Sequence, residues 1–232
     1  GKTLQVIAIL LMETPSKKSP ALIICPASLI ANWVREFEKF APSLTVLVHK
    51  GSARTGLFWG LQKTNVVITT YGTMVSDITL FSSFTWAYVI CDEAQAVKNP
   101  ESIRRKCISR IPREKSLPMT GTPVENSLID LWSLVDFAIP SLLGNFSDFA
   151  ERFPDSAESA AELNSLVDPI ILKRRVAEVA NDLPERINID IPIHMPEKMQ
   201  SLYKEVQART LEKYPIAGAL VATLQMQLLC TH

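Results

Sequence analysis

The stretch Ala87-Tyr88-Val89-Ile90-Cys91-Asp92-Glu93-Ala94-Gln95 runs five apolar residues directly into two adjacent carboxylates. A short apolar run with polar bounds fits a strand buried on both faces of a parallel sheet. Open α/β sheets gather ligands at the carboxyl ends of such strands. Asp92 and Glu93 therefore stand where a site is expected, and a solvated acidic turn is a poor alternative. The pair suits one chemistry well: the first carboxylate holds Mg²⁺, usually through water, and the second orients and deprotonates the water that attacks a γ-phosphate.

Working outward, further short, apolar, β-branched runs fall at residues 21–25, 45–48, 66–69 and 116–119, with 87–91 between them. Helical patterns alternate with them, which predicts an α/β doubly wound domain. The clearest helix covers residues 29–40. Leu29, Trp33 and Phe37 recur at helical spacing, Ile30 and Val34 widen the stripe, Ser28 is the expected N-cap and Pro42 closes the segment. Trp33 lies on that stripe and reads as core rather than as a base-stacking residue. Pro100 and Glu101 open a helix that carries Arg104, Arg105 and Lys106.

Past Pro123 the pattern becomes helical throughout. Leu128, Leu131, Trp132 and Val135 form a stripe, two more helical segments run to Val167, and no strand is expected over 124–169. The strict alternation of residues 187–193 predicts a half-exposed strand that returns to the sheet, with Pro192 marking an edge or an end. Pro196 then starts an amphipathic helix with Met199, Leu202, Tyr203 and Val206 on one face, and a second helix covers 217–229.

Two other motifs bear on the carboxylates. Gly1-Lys2-Thr3 has the form of the end of a phosphate-binding loop: backbone amides and a helix N-terminus wrap the phosphates, the lysine reaches the β- and γ-phosphates, and the threonine hydroxyl takes Mg²⁺. Alone, three residues are a weak signal. Thr120-Gly121-Thr122-Pro123 follows another apolar run and brings two hydroxyls to the same sheet edge as Asp92. By itself it reads as a turn; in series with the other two motifs it reads as a coupling loop.

The chain has 232 residues, 47% of them hydrophobic, enough for one large domain or a domain with an appendage. Lys plus Arg and Asp plus Glu both number 24, so the formal net charge is zero and gives no electrostatic footprint for nucleic acid, although a local basic face stays open. Cys25, Cys91, Cys107 and Cys230 are scattered, with no CxxC pair, which argues against a zinc site or a redox dithiol and fits a reducing, intracellular compartment. No run approaches the roughly 20 apolar residues of a membrane span, and no signal peptide is recognisable. Beginning inside a motif, the sequence reads as a piece of a longer protein.

At this point GKTLQ (residues 1–5), LIICPASLIANWVREFEKFAP (22–42), VVITTYGTM (66–74), VICDEAQAVKNP (89–100), MTGTPVENSLIDLWSLVDFAIPSLLG (119–144), ILKRRVAEVANDLPER (171–186) and LLCTH (228–232) together resemble the Swi/Snf family of superfamily-two, helicase-like ATPases. The long block from Met119 is the most specific. RNA-directed DEAD-box helicases usually carry Ser-Ala-Thr where this chain has Thr-Gly-Thr-Pro, and they lack its Asp-Leu-Trp-Ser continuation. The resemblance implies a RecA-like P-loop NTPase lobe over 1–123, with a parallel central sheet. It further implies an inserted helical protrusion over 124–169, a return segment and strand over 170–195, and a helical connector over 196–232 toward a second lobe that supplies an arginine finger.

Residue by residue, the resemblance implies ATP at Gly1, Lys2, Thr3 and Gln95, Mg²⁺ at Thr3 and Asp92, and catalysis by Lys2, Asp92 and Glu93. Thr120, Gly121 and Thr122 would couple. Pro26, Ala27 and Ser28, with Thr70, Tyr71, Gly72 and Thr73, would contact the DNA backbone. Gln95 stands where eukaryotic members usually have histidine, which looks like bacterial and archaeal members and a cytoplasmic setting, or a nuclear one in a eukaryote. It either senses the γ-phosphate or contacts the coupling loop. The basic run Lys173-Arg174-Arg175 reads as a solvated face, or by resemblance as one near DNA or the partner lobe. The implied activity is ATP-driven movement on double-stranded DNA without strand separation, with DNA-bound proteins as candidate targets. Two alternatives stay open: an RNA-directed helicase lobe of the same superfamily, and a non-catalytic interaction module that keeps the fold.

Overall fold

The strands predicted from apolar runs are present as β1 (Ala21–Cys25), β2 (Val46–His49), β3 (Val66–Thr70), β4 (Trp86–Asp92) and β5 (Arg113–Met119). They form one parallel sheet in the order β2-β3-β1-β4-β5. The computed structural model describes residues 1–122, 127–173, 189, 196–213 and 218–231. The chain divides into two units, Gly1–Leu172 and Lys173–His232, and the sheet belongs to the first.

Alternation along each strand decides which layer it feeds. In β1, Ala21, Ile23 and Cys25 face one layer, while Leu22 and Ile24 face the other. On the first face, α1 (Lys2–Met12) and α2 (Ile30–Phe40) pack Val6, Ile7, Leu10, Trp33 and Phe37 against Ile23, Ile68 and Ile90. On the second, α4 (Tyr71–Ser76), α5 (Ile78–Phe81) and α6 (Ile103–Ser109) bring Tyr71, Met74, Phe81 and Ile108 onto Leu22, Val67 and Val89. The four-residue α3 (Phe58–Leu61) lies between β2 and β3. Each fully buried aliphatic side chain here contributes roughly 1.5–3 kcal/mol. The chain leaves β1 for one face and its neighbour β4 for the other, so a crevice opens at their carboxyl ends, the switch point where such sheets bind ligands.

Some boundaries differ from the sequence expectations. β5 begins at Arg113, three residues early; among the described residues it pairs with β4 alone, a position that tolerates Arg113-Glu114-Lys115 as well as Pro118. α2 starts at Ile30 with Leu29 at the cap position and no side-chain cap bond, so Ser28 is not the N-cap; residues 26–29 close a turn through Leu29 N–H to the Pro26 carbonyl. α6 starts at Ile103 rather than at Pro100, because the Ser102 hydroxyl accepts from the Arg105 amide and so fixes the cap.

The helical outgrowth comprises α7 (Leu128–Ala138), α8 (Phe146–Arg152) and α9 (Ala157–Val167). The expected stripe Leu128, Leu131, Trp132 and Val135 packs on Phe149, Phe153, Leu163 and Val167 as a separate core. α7 has a second apolar edge: Leu134 and Phe137 join the layer on the sheet. One helix thus belongs to two cores and docks the outgrowth on the sheet domain.

In the second unit α10 (Glu197–Lys213) pairs with α11 (Gly218–Thr231). The sheltered face of α10 carries Met199, Tyr203, Val206 and Thr210, at helical spacing, while Leu202, expected on that face, is exposed. The strand expected over 187–193 lies outside the described residues, apart from Ile189, which is exposed and in no regular element. Arg174 and Arg175 also lie outside them; Lys173 is exposed. Among the described residues no helix is long and apolar enough to cross a membrane.

Candidate functional site at the carboxyl edge of the sheet

β4 ends on Asp92, whose register partner on β5 is Met119, so Glu93 and Thr120 leave the sheet side by side. Asp92 is 6% exposed. Its Oδ2 accepts from Trp33 Nε1–H at 2.9 Å and its Oδ1 from the Glu93 amide at 3.0 Å. The Tyr71 hydroxyl donates to the Asp92 carbonyl at 2.8 Å. Glu93 has φ 51° and ψ 55°, the left-handed region that a residue with a side chain rarely adopts. Such a conformation costs on the order of 1–3 kcal/mol and persists only where surrounding bonds impose it.

A chain of hydrogen bonds runs from Glu93 to the Thr-Gly-Thr loop. Gln95 Nε2 donates to Glu93 Oε2 at 2.9 Å, and Gln95 Oε1 accepts from the Thr120 hydroxyl at 2.9 Å. Thr120 Oγ1 in turn accepts from the Thr122 amide at 3.0 Å. Of the two roles open to Gln95 from sequence, contact with the loop is the one the geometry displays. Pro123 lies outside the described residues. The exposed Lys2 ammonium lies 4.0 Å from where a Cβ on Gly121 would stand, which brings the amino-terminal motif to this loop. Gly1 caps α1 without a side chain, and half-buried Thr3 lies in its first turn.

Cys25 pairs with Thr70 at the end of the β1–β3 register, so Pro26 and Tyr71 leave the sheet side by side and the two loops expected to meet DNA are neighbours. Ala27 and Ser28 are exposed. Thr70 caps α4, its hydroxyl accepting from the Thr73 amide at 3.1 Å. Gly72 is exposed and Thr73 half-buried. Tyr71 is 5% exposed, with its ring in the core and its hydroxyl bonded to Asp92, so at this loop it offers its backbone and not its side chain.

Sequence reading placed Trp33 in the core, where it is, but missed its bond to Asp92. A buried indole N–H needs an acceptor, and that requirement was the available signal. Burial, with the Asp92 charge adding to it, pushes the Cys25 thiol up to about 12, and burial pushes Cys91 up to about 12. Burial first of all also raises the Tyr71 phenol. None of the three supplies an anionic nucleophile at neutral pH.

Among the described residues no cluster of three or more His, Cys, Asp or Glu could hold a metal ion. Mg²⁺ needs no such cluster, since it keeps several waters and takes one or two carboxylates plus phosphate oxygens. Each Asp92 oxygen already accepts one hydrogen bond, and a carboxylate has roughly four acceptor positions in all. The hard oxygen donors of Asp92 and Thr3 therefore fit Mg²⁺.

The model of the SNF2-related domain matches residues 1–229. An ATP-dependent helicase of Mycoplasma genitalium is 38% identical over 219 residues, which cover 92% of this chain and 21% of that protein. The human chromatin-remodeling ATPase INO80 is 33% identical over 253 residues, 98% of this chain and 16% of its own length. Among solved structures, the Sulfolobus solfataricus SWI2/SNF2 ATPase core in complex with dsDNA superposes with a TM-score of 0.68 at 29% identity. That match covers 99% of this chain and 51% of the other. The chain thus spans about a fifth of the first of these relatives and half of the solved core.

Proposed function

This chain belongs to the SNF2-related, Swi/Snf family of helicase-like ATPases, and on that premise we propose that it is the first RecA-like lobe of an ATP-hydrolysing motor that moves along double-stranded DNA. The observation that carries the reading is the continuity from Lys2 beside Gly121, through Thr120 and Gln95, to Glu93 next to Asp92. A phosphate-binding cation, a metal carboxylate and a candidate base occupy one sheet edge.

In this reading the amides at the start of α1 and the Lys2 ammonium receive the triphosphate. Thr3 and Asp92 would hold Mg²⁺, which when bound would supply charge neutralisation to the triphosphate. Glu93 orients the attacking water and takes its proton. Gln95 holds Glu93 Oε2, which leaves Oε1 to the water. Through Thr120 the same contact reports the state of the base to the loop before α7. The Pro26–Ser28 turn, with Gly72 and Thr73, grips phosphates through amides and hydroxyls, which positions a duplex without reading bases. Ser28 caps nothing, so its hydroxyl and the first amides of α2 remain for that role. A second lobe closes the cleft and supplies an arginine, an addition worth about 10³–10⁵ in rate. The proposed layout is a motor lobe over 1–123, a protrusion over 124–169, a return segment over 170–195 and a connector over 196–232.

The test is Glu93→Gln in a protein that carries both lobes. Nucleotide binding is expected to persist while duplex-stimulated ATP hydrolysis falls by about 10²-fold or more, the usual range for loss of a general base. A wild-type rate removes the assigned role. Stronger stimulation of the wild type by RNA than by duplex DNA favours an RNA-directed lobe. Nucleotide affinity indifferent to Lys2→Ala favours a non-catalytic module.

A further inference from the structure

Asp92 is held from both faces of the sheet. Trp33, 1% exposed in the first layer and stacked at 6.0 Å on Phe37, donates its indole N–H to Oδ2. Tyr71, in the second layer, donates its hydroxyl to the Asp92 carbonyl. The third bond, from the Glu93 amide to Oδ1, comes from the next residue and moves with the same backbone. Among the described residues, Trp33 is therefore the one element-to-element constraint on the carboxylate, and Tyr71 fixes the peptide that carries it. Trp33 stands in the first turn of α2, just past the Pro26–Ser28 turn, and Tyr71 is the first residue of α4.

We propose that Trp33 and Tyr71 are positioning residues for the metal carboxylate: the indole sets the rotation of the Asp92 side chain and the phenol sets the position of its backbone, so that a defined pair of lone pairs faces the Mg²⁺·nucleotide. The proposal rests on the reading of Asp92 as the metal carboxylate. Partners of this kind orient the ligands they bond, and their loss typically costs 10–100-fold in metal affinity or activity. Packing alone would also explain a buried tryptophan. It does not explain why the Trp33 indole takes a carboxylate oxygen when a backbone carbonyl serves equally well, as the Phe81 carbonyl does for Trp86 in the same sheet, nor why the donor from the opposite layer, Tyr71, falls on the carbonyl of that same residue.

The experiment is a Mg²⁺ titration of the binding of a fluorescent ADP analogue to the two-lobe protein without DNA, alongside thermal unfolding. Trp33→Phe is expected to raise the half-saturating Mg²⁺ concentration about tenfold and to leave nucleotide binding in EDTA unchanged. Tyr71→Phe, which removes a single oxygen, should raise it about threefold, and it carries the test by itself if Trp33→Phe does not fold. Phe37→Leu disturbs the same core without touching Asp92, and is expected to lower the melting temperature at an unchanged Mg²⁺ midpoint. Midpoints of Trp33→Phe and Tyr71→Phe no different from that of Phe37→Leu overturn the proposal and leave the role of Asp92 standing. A midpoint unmoved by Asp92→Asn overturns the metal assignment itself, and the positioning role with it.

Discussion

Gln95 uses both ends of its amide, one on Glu93 and one on Thr120, so neither neighbour can move without disturbing the other. Removing the Thr120 hydroxyl orphans the Gln95 oxygen, and the freed amide no longer fixes Glu93. Thr120→Val, nearly isosteric, should lower kcat about tenfold while KM for ATP stays within about twofold, the pattern of an interaction made mainly in the transition state. Thr120→Ser should restore most of the rate. In a cycle with Gln95→Ala, residues of one hydrogen-bonded network are expected to be non-additive by about 1 kcal/mol or more; additive effects on kcat would separate the loop from the base. The acidic pair and the Thr-Gly-Thr loop were legible because each joins a strand end to an unusual run of polar residues, whereas Gly1-Lys2-Thr3 became legible only beside them. Their bonds were legible only in part: contact between Gln95 and the loop was one of two roles that the resemblance left open, and choosing it depends on the β4–β5 register across 25 residues, which no local pattern encodes. The inward turn of the Tyr71 side chain was not legible for a related reason: a residue that follows a strand end can turn either way, and only the packing of α4 decides.

At the level of elements, legibility followed burial. β1 was readable to the residue because all five positions are buried, whereas the start of β5 was not, because Arg113, Glu114 and Lys115 are half-buried or exposed and carry no apolar signal. α7 was read as one stripe, yet it serves two cores, and Asp136 shows how its second edge is secured. Arg105, with its side chain 8% exposed, reaches Asp136 at 2.6 Å, and the Ser141 amide bonds the other oxygen of that carboxylate. Burial lowers the Arg105 guanidinium below its ordinary value, and Asp136 opposes that shift. Asp136→Ala should cost about 3–5 kcal/mol, because it strands a buried cation, and urea denaturation would measure it. Arg105→Met with Asp136→Leu, which removes both charges, should recover much of the loss. A single substitution that costs under 1 kcal/mol would show that the Arg105–Asp136 pair does not secure α7, leaving Leu134, Phe137 and the Lys98–Asp130 ion pair to hold it.

For the whole molecule, charge sets a limit on how it can hold nucleic acid. The chain has zero formal net charge, and its proposed DNA loops, Pro26–Ser28 and Gly72–Thr73, contain no Lys or Arg. Grip by neutral amides, hydroxyls and one helix N-terminus releases few counterions. The affinity for duplex DNA should therefore depend weakly on salt, since log K falls with log[salt] at about −0.9 per phosphate neutralised. With no side-chain cation in either loop and only the partial charge of a helix N-terminus, fewer than about two phosphates are neutralised, so binding measured by fluorescence anisotropy on a short labelled duplex should weaken by no more than about tenfold between 50 and 200 mM KCl, against the 10³–10⁵ of a protein that makes 6–10 ionic phosphate contacts. Ser28→Asp should weaken binding and steepen nothing, because it adds repulsion at one phosphate without adding a cation. A slope steeper than about −5 would place the contact on a basic face elsewhere in the chain and would take the two sheet-edge loops out of the DNA path, while leaving the ATP site as described.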